Sequence, residues 1–527
     1  MILRSHRIAA LFTTALAPLP ACIFAGADDG DTDAAASSEG GSDGHDTTDA
    51  TTSAGTGTAD TSGGSGDSGG TGDTDEPPAG DVRHACPIDK PQKVYGWALD
   101  AKAVLDSDET WTPDNVYLVF GPLSVPTNLT IEAGTVVCFD YGPPGADGSG
   151  EPPAGELRML DGGSLTANGT ADAPVVFTAK SEGTEADQLY WAGISTTGLE
   201  LLSLHHLEIY NGGLSAGGKP LRVGHDNGQG PAVELDEVTI YSSQHLGIEL
   251  LNDKGLAPGS HLTMYNFAQE YVAKYDNEGD FADYFDHGYP VLRVNVYGAS
   301  TIDANSFTVG PDAGIPAATR YVQIDHAEGA IIDRDYTLHR LQEGLAWRTA
   351  SNELLSATCT IDPGTTVAIA NEGTWYIGDK GGCSGPGSLV ALGTADAPIR
   401  FVNDAAWSHL EPTDPAAASP GITVNSCAFA DTVLDHVVFD GLGARSAATL
   451  NACNPDTDGW HGELNFLYSG DGQDREGPPV TNATFTNSFG NAIRMATGAH
   501  ITSDYEDPAL GNVFDGFEGD KPAICRG

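Results

Sequence analysis

The chain is written twice. Residues 130–137 read TIEAGTVV and residues 360–367 read TIDPGTTV. GSLTANGTADAP, from Gly163 to Pro174, returns as GSLVALGTADAP, from Gly387 to Pro398. The strand-like run Val175-Val176-Phe177 is matched by Ile399-Arg400-Phe401. Leu204–Gly213 is matched by Leu434–Gly443, and the run from Val238 to Ile248 by that from Ala483 to Ile493. The segments keep their order, so a whole ladder of segments is duplicated rather than one motif. Self-similarity of this kind constrains a fold before any single residue does, because each unit must bury its apolar face against the next.

The repeated segments have strand composition. Val136, Val137 and Phe139, like Val367 and Ile369, follow a Gly turn. Helical periodicity of apolar residues is hard to find after residue 90. Short strands that recur with Gly and Asn turns predict a stack of coils about one axis, a parallel β-helix. At Leu129-Thr130-Ile131-Glu132, at the Gly-Ser-Leu and Gly-Thr-Ala-Asp-Ala-Pro turns and at Trp191-Ala192-Gly193-Ile194, the chain resembles bacterial surface proteins of the right-handed parallel β-helix class, which includes the pectin-lyase-like fold. The likeness covers most of 110–250 and 350–500. It implies an all-β fold of two homologous copies, the first over 81–335 with an insertion and the second over 336–527. The second copy departs from it: Trp407 is followed by Pro420-Gly421-Ile422 only after an insertion. Residues 266–292 and 306–335 fit no coil by sequence.

The start of the chain reads as an export signal. Arg4 and Arg7 precede an apolar stretch, Ile8 to Leu19, that is too short to span a bilayer. Leu19-Pro20-Ala21-Cys22 resembles a bacterial lipobox, with Cys22 as the lipid-attachment residue and residues 1–22 as the leader. Such an anchor places the protein at an outer membrane or cell surface, with secretion as the alternative. Residues 23–80 are rich in Gly, Ser, Thr, Asp and Ala, contain no Lys or Arg, and cannot bury enough surface to fold. They form an acidic tether with a reach of about 40 Å.

Charge excludes one class of partner. With 74 acidic and 24 basic residues, the formal charge is -50. Nucleic acid needs Lys and Arg against its phosphates, so it is not an expected partner. The excess also argues against unaided binding to polyanionic sugars.

Of eight cysteines, seven remain after Cys22. An exported chain can oxidise them. The sequence-local arrangement pairs Cys86 with Cys138, Cys359 with Cys383 and Cys427 with Cys453, and leaves Cys525 over; spacing alone does not fix the connectivity. No Cys/His cluster has zinc spacing.

Several motifs invite chemistry. Gly66-Asp67-Ser68-Gly69-Gly70 copies a protease signature, but inside the tether, where no frame can hold a base against Ser68. Gly213 to Lys219 has phosphate-loop spacing, yet Pro220 stands where a magnesium-binding hydroxyl belongs. Asn454-Pro455-Asp456-Thr457-Asp458-Gly459 alternates oxygen ligands as calcium loops do. Asp456, Asp458 and Glu463, joined by Asp471 or Asp474, are therefore the candidate calcium ligands. Residues 265–289 are dense in aromatic rings and acids. Aromatic faces stack on sugars and carboxylates accept their hydroxyls, so Tyr271, Tyr275, Tyr284 and Asp286 are the candidate glycan-binding residues. His206 and His436 occupy equivalent places, which points to one structural role repeated, such as a coil corner.

These features together predict a non-catalytic, lipid-anchored β-helical surface protein, structural, adhesive or glycan-binding, with polysaccharide or extracellular matrix as partner. The alternative is a β-helical polysaccharide lyase or glycoside hydrolase. A hydrolase needs two carboxylates across the bond, and a lyase needs calcium carboxylates with an Arg or Lys base, for which Arg475 and Arg494 are isolated candidates. An enzyme gathers acids, arginines and aromatics on one wall, whereas a stalk scatters them.

Overall fold

The structure, a computed structural model, describes residues 85–526 apart from the segments 98–101, 145–151, 181–190, 197–199, 214–218, 225–229, 244–246, 266–289, 311–320, 327–330, 350–352, 371–373, 379–386, 405–420, 444–461, 468–473, 496–499 and 516–522 and the single positions 88, 161, 242 and 489. The leader, Cys22 and the tether lie outside the described residues, as do Tyr271, Tyr275, Tyr284, Asp286, Asp456, Asp458, Asp471, Cys383 and Cys453. The described residues belong to one compact unit, Glu76–Gly527.

That unit is a parallel β-helix. Every paired strand runs parallel to its neighbours, and most coils contribute one strand to each of three walls, while from Val238 to Asp325 the strands alternate between two of them. One wall is an unbroken sheet of 13 strands that passes through both copies, from Pro122–Val125 to Val513–Phe514. At roughly 4.8 Å per strand it is about 58 Å long. The other two walls change midway. An eight-stranded and a five-stranded sheet serve the first copy; a seven-stranded and a second five-stranded sheet serve the second.

The copies therefore form one continuous helix, but they do not stack like on like. Val136–Asp140 lies in the eight-stranded sheet, whereas its counterpart Thr366–Ile369 lies in the long sheet. The same exchange holds for Val175–Ala179 against Ile399–Asn403, and for Val238–Ile240 against Thr484–Thr486. The long-sheet strand Gly193–Thr196 has its counterpart, Gly421–Asn425, in the seven-stranded sheet. The second copy is turned by one wall relative to the first. The turn occurs where the eight-stranded sheet stops at Phe307–Val309. There the Gln342 side chain takes the place of a further strand: its Oε1 accepts from Val309 N at 2.7 Å and its Nε2 donates to Val309 O at 3.0 Å. His339–Leu345, longer than the equivalent turn at Asp362–Thr365, crosses that end before the chain rejoins the long sheet at Ala346–Thr349. Residues 306–335, which fit no coil by sequence, supply strands Phe307–Val309, Tyr321–Asp325 and Ile331–Ile332 on either side of this junction.

Inward positions alternate along each strand and fill one core through both copies. A column of rings, Phe401, Phe439, Phe485 and Phe514, runs up the inner face of the second copy at 5.2, 4.8 and 5.3 Å, close to the strand spacing. Burying one such side chain contributes about 1.5–3 kcal/mol. The repeated turn residues have repeated jobs. His206 and His436 sit at the same corner with φ 42° and 49°. Their carbonyls accept from Val175 N and Ile399 N at 3.0 and 3.1 Å. Gly193 and Gly421 have φ +119° and +80°, and a Cβ on either would stand 1.9 or 2.2 Å from a carbonyl of the next coil.

Cys86 and Cys138 are joined, as expected, which staples the segment before the first strand to the outer face of the eight-stranded sheet. The expected partnership of Cys359 with Cys383 is corrected: Cys359 is a free thiol, wholly buried. It stands where the first copy has Leu129, facing the core between Tyr336 and Leu389 in register, and it serves as a small apolar side chain. Cys525 is corrected too: it is disulfide-bonded rather than left over, and so is Cys427.

Candidate functional site

The long sheet points one row of side chains outward along its mid-line. In register the row reads Ser124, Arg158, Ser195, Arg222, Glu249, Arg293, Gln323, Arg348, Ala368 and Val402. Alternation within each strand explains the direction: Leu157 and Met159, Leu221 and Val223, and Leu292 and Val294 turn inward, so the residue between each pair turns out. From Arg158 to Arg348 every second rung is an arginine, in a chain with only 24 basic residues. Two rungs are about 9.6 Å apart.

The carboxylates around this row lie beneath the cations. Glu249 is the hub. Its Oε1 is 2.9 Å from Lys219 Nζ and accepts from Arg293 Nη1 at 3.2 Å; its Oε2 is 3.2 Å from Arg222 Nε, an ion pair without hydrogen-bond alignment. Arg293 Nε also donates to Asp325 Oδ1 at 3.0 Å. Burial works against the Arg293 charge, but Asp325 and then Glu249 more than offset it, and its pKa rises. Arg158 Nε and Ser195 Oγ donate to the two oxygens of Glu156, both at 2.7 Å. At the junction Arg348 is withdrawn: it donates to Asp404 Oδ2 and to Tyr321 Oη, and its guanidinium carbon lies 4.8 Å from the Tyr321 ring centre. The side chains of Arg158, Arg222 and Arg293 are 48%, 41% and 37% exposed, against 5% for Glu249 and 16% for Glu156. The acids orient the guanidinium groups from below, and the face that meets solvent is cationic. Such a face can donate fixed, paired N–H groups to carboxylate, sulfate or hydroxyl oxygens.

The sequence-predicted residues fall elsewhere. Glu463, a candidate calcium ligand, is wholly buried at the start of the strand Gly462–Leu467. Its Oε1 accepts from Leu442 N at 3.3 Å, and Oε2 has no hydrogen-bond partner among the described residues. Burial pushes its carboxyl well above the usual carboxylate range; the Leu442 N–H opposes this and Asp440 adds to it. A protonated acid is a poor calcium ligand. Among the described residues no group of three or more His, Cys, Asp or Glu is placed to hold a metal. Asp474 lies 3.5 Å from His500 instead. Arg494 is half-buried on the seven-stranded sheet, its pKa lowered by that burial. Arg475 forms a backbone bridge with Ile501, away from Arg494's strand. Lys219, the end of the phosphate-loop string, is committed to Glu249.

Two further clusters emerge only from stacking. Ser203 Oγ is 3.0 Å from His205 Nε2, and His205 Nδ1 is 3.2 Å from Asp236 Oδ2. This has the order of a nucleophile relay, but Ser203 Oγ donates to Glu234 Oε2 at 2.7 Å, so its proton is not offered to the imidazole. Tyr210, Tyr241 and Tyr265 stack at 4.6 and 5.6 Å outside the eight-stranded sheet, and the stack covers both faces of Tyr241 and one face of each outer ring. No signal within any one segment marks the arginine row. Only the register of successive coils brings its members together.

Compared with known proteins, the chain matches no family model, no curated protein and no solved structure.

Proposed function

We propose that the chain is a non-catalytic, cell-surface β-helical lipoprotein that binds glycan along its side. In this reading Cys22 anchors it, residues 23–80 hold the rod away from the membrane, and the long sheet offers its outer row to polysaccharide or matrix. The gathering of arginines, acids and Tyr321 on one wall is by itself the pattern expected of an enzyme; the observation that supports the non-catalytic reading is that these acids are already engaged by cations. A committed carboxylate holds a donor in place; it does not move a proton to or from a substrate. Recognition of hydroxyl and acid oxygens needs such fixed donors, and the exposed arginines from Arg158 to Arg293 span four rungs, about 19 Å, along which an extended chain can lie. The test is an array of linear and branched glycans probed with the full chain, alongside an assay for new reducing ends or unsaturated sugars. Binding without product is expected. Release of oligosaccharides that a point substitution abolishes would overturn the non-catalytic reading, and no binding to any glycan would overturn recognition.

A glycoside hydrolase is the second reading, and Glu463 favours it. A carboxyl whose pKa is held above the usual carboxylate range is what a general acid requires, and Asp440 is close enough to act on it electrostatically. Its complete enclosure makes this the weaker of the two. Turnover lost in E463Q would promote it.

A further inference from the structure

The spacing of the row carries information about its ligand beyond the recognition of glycan. Arg158, Arg222 and Arg293 stand on alternate rungs of one straight column, with Ser195 and then Glu249 between them. The rungs of a parallel sheet are fixed by backbone hydrogen bonding, so the period is rigid at about 9.6 Å. That is the length of one extended disaccharide. The intervening rungs differ from the arginine rungs in sign as well as size: Ser195 is neutral and Glu249 is anionic.

We infer that the outer row of the long sheet binds a linear acidic polysaccharide that carries one carboxylate or sulfate per disaccharide. The inference rests on the glycan-binding reading and narrows it. Each anionic group meets a guanidinium, and the neutral sugar between crosses Ser195 or passes above the buried Glu249, where no cation of the row stands. A polymer charged on every unit is disfavoured, because every second charge would fall on a rung without a cation, beside neutral Ser195 or above anionic Glu249. The excess of acidic residues does not forbid the contact. At physiological ionic strength the screening length is about 8 Å, so distant carboxylates are damped while a direct guanidinium contact is not.

The experiment measures binding of the full chain to three immobilised polymers at 0.15 M salt. Hyaluronan has one carboxylate per disaccharide, carboxyl-reduced hyaluronan has the same backbone without charge, and polygalacturonate is charged on every unit. Hyaluronan is expected to bind tightest, and loss of its carboxylates to cost about 10- to 100-fold, the worth of a charge-assisted hydrogen bond. R158Q and R293Q should each weaken hyaluronan by a similar factor and weaken the carboxyl-reduced polymer by less, because the charge-assisted part of the contact is lost only with hyaluronan. R158Q is the safer variant, since Arg158 is the most exposed of the three and is paired with the carboxylate of its own strand, Glu156. Equal binding of the charged and carboxyl-reduced polymers, or preference for polygalacturonate, would overturn the spacing rule and leave glycan recognition standing. Hyaluronan binding unchanged in both variants would overturn the assignment to this row. Binding to none of the three, with neutral glycans bound in the array, would also overturn this inference alone.

Discussion

In the first copy, the strand of each coil that joins the long sheet points Arg158, Ser195, Arg222 and Glu249 outward in succession. The equivalent strands of the second copy, in the seven-stranded sheet, point Tyr376, Thr423, Asn465 and Arg494. The scaffold beneath is the same: Gly193 and Gly421 open the matching strands, and Ile194 and Ile422 fill the core behind them. The surfaces are opposites. The first row is ionic and partly open. In the second, Thr423 and Asn465 are buried, and the Asn465 amide closes on the backbone of its own strand, accepting from Gly462 N at 3.0 Å and donating to Gly462 O at 2.8 Å. Because the second copy is turned by one wall, the row also ends at the junction, where Ala368 and Val402 take over its column. Duplication lengthened the rod without duplicating the surface.

The comparison predicts equal effects at repeated positions and unequal effects along the rows. The largest equal effect is expected for G193A and G421A. Each puts a Cβ within 2.2 Å of a carbonyl oxygen and forces a side chain into the left-handed or extended positive-φ region. Each should cost about 3 kcal/mol or more in denaturant unfolding, the strain adding to the clash. A large loss at one site and none at the other would break the equivalence of the copies.

An unequal effect is expected next. E249A removes the one carboxylate shared by Lys219, Arg222 and Arg293. Breaking a buried pair costs roughly 3–5 kcal/mol, and the exposure of the arginines reduces this to about 2 kcal/mol. The measurement is urea unfolding of E249A beside R494A, its positional counterpart, whose charge burial already disfavours. If R494A proved the more costly, the ionic row would not be what distinguishes the first copy.

The scaffold was readable from the chain because its requirements are local. A corner needs a Gly, Asn or His that tolerates positive φ, an inward position needs a Val, Ile, Leu or Phe, and both recur in one segment. His206 and His436 were legible in this way, and they do sit at matching corners. The row was not legible, because its members are separated by loops of unequal length and meet only through coil register. The one-wall turn was hidden for a related reason. Strand order within a coil does not say which wall of one copy meets which wall of the next; that is settled by Gln342 closing the end of one sheet. Cys359 misled because spacing to Cys383 says nothing of direction, and its strand register turns it inward.

Glu463 sharpens the contrast through pH. Its folded-state pKa is raised by burial, so the folded chain holds a proton that the unfolded chain releases above about pH 4.3. The unfolded state then binds fewer protons, and stability falls as pH rises from that value toward the raised one. E463Q, which stays neutral, should remove this part of the slope: close to wild type at pH 4 and more stable than wild type at pH 8, read as a higher Tm at the higher pH only. Parallel pH profiles for the two proteins would show that Glu463 does not titrate in this way. No such slope is expected to change in R158Q, on the other surface.

The smallest effect concerns the cysteines, and it separates the copies at matched core positions. Cys359 occupies the place of Leu129, and burial pushes its thiol pKa up to about 12, with a Tyr336 hydrogen bond opposing the rise. The thiolate is the reactive form, so little of it exists at neutral pH, and the core blocks access. Mass-mapped alkylation should leave Cys359 unmodified in the native chain and label it fully in denaturant. C359A should lose about 1 kcal/mol, since a small apolar group is replaced by a smaller one in the same core. Labelling of native Cys359 at the rate of an exposed thiol would mean that the second copy opens at this coil. The inward register of Thr358–Ile361 against Ser388–Leu392 would then be wrong at the point where the two copies are most alike.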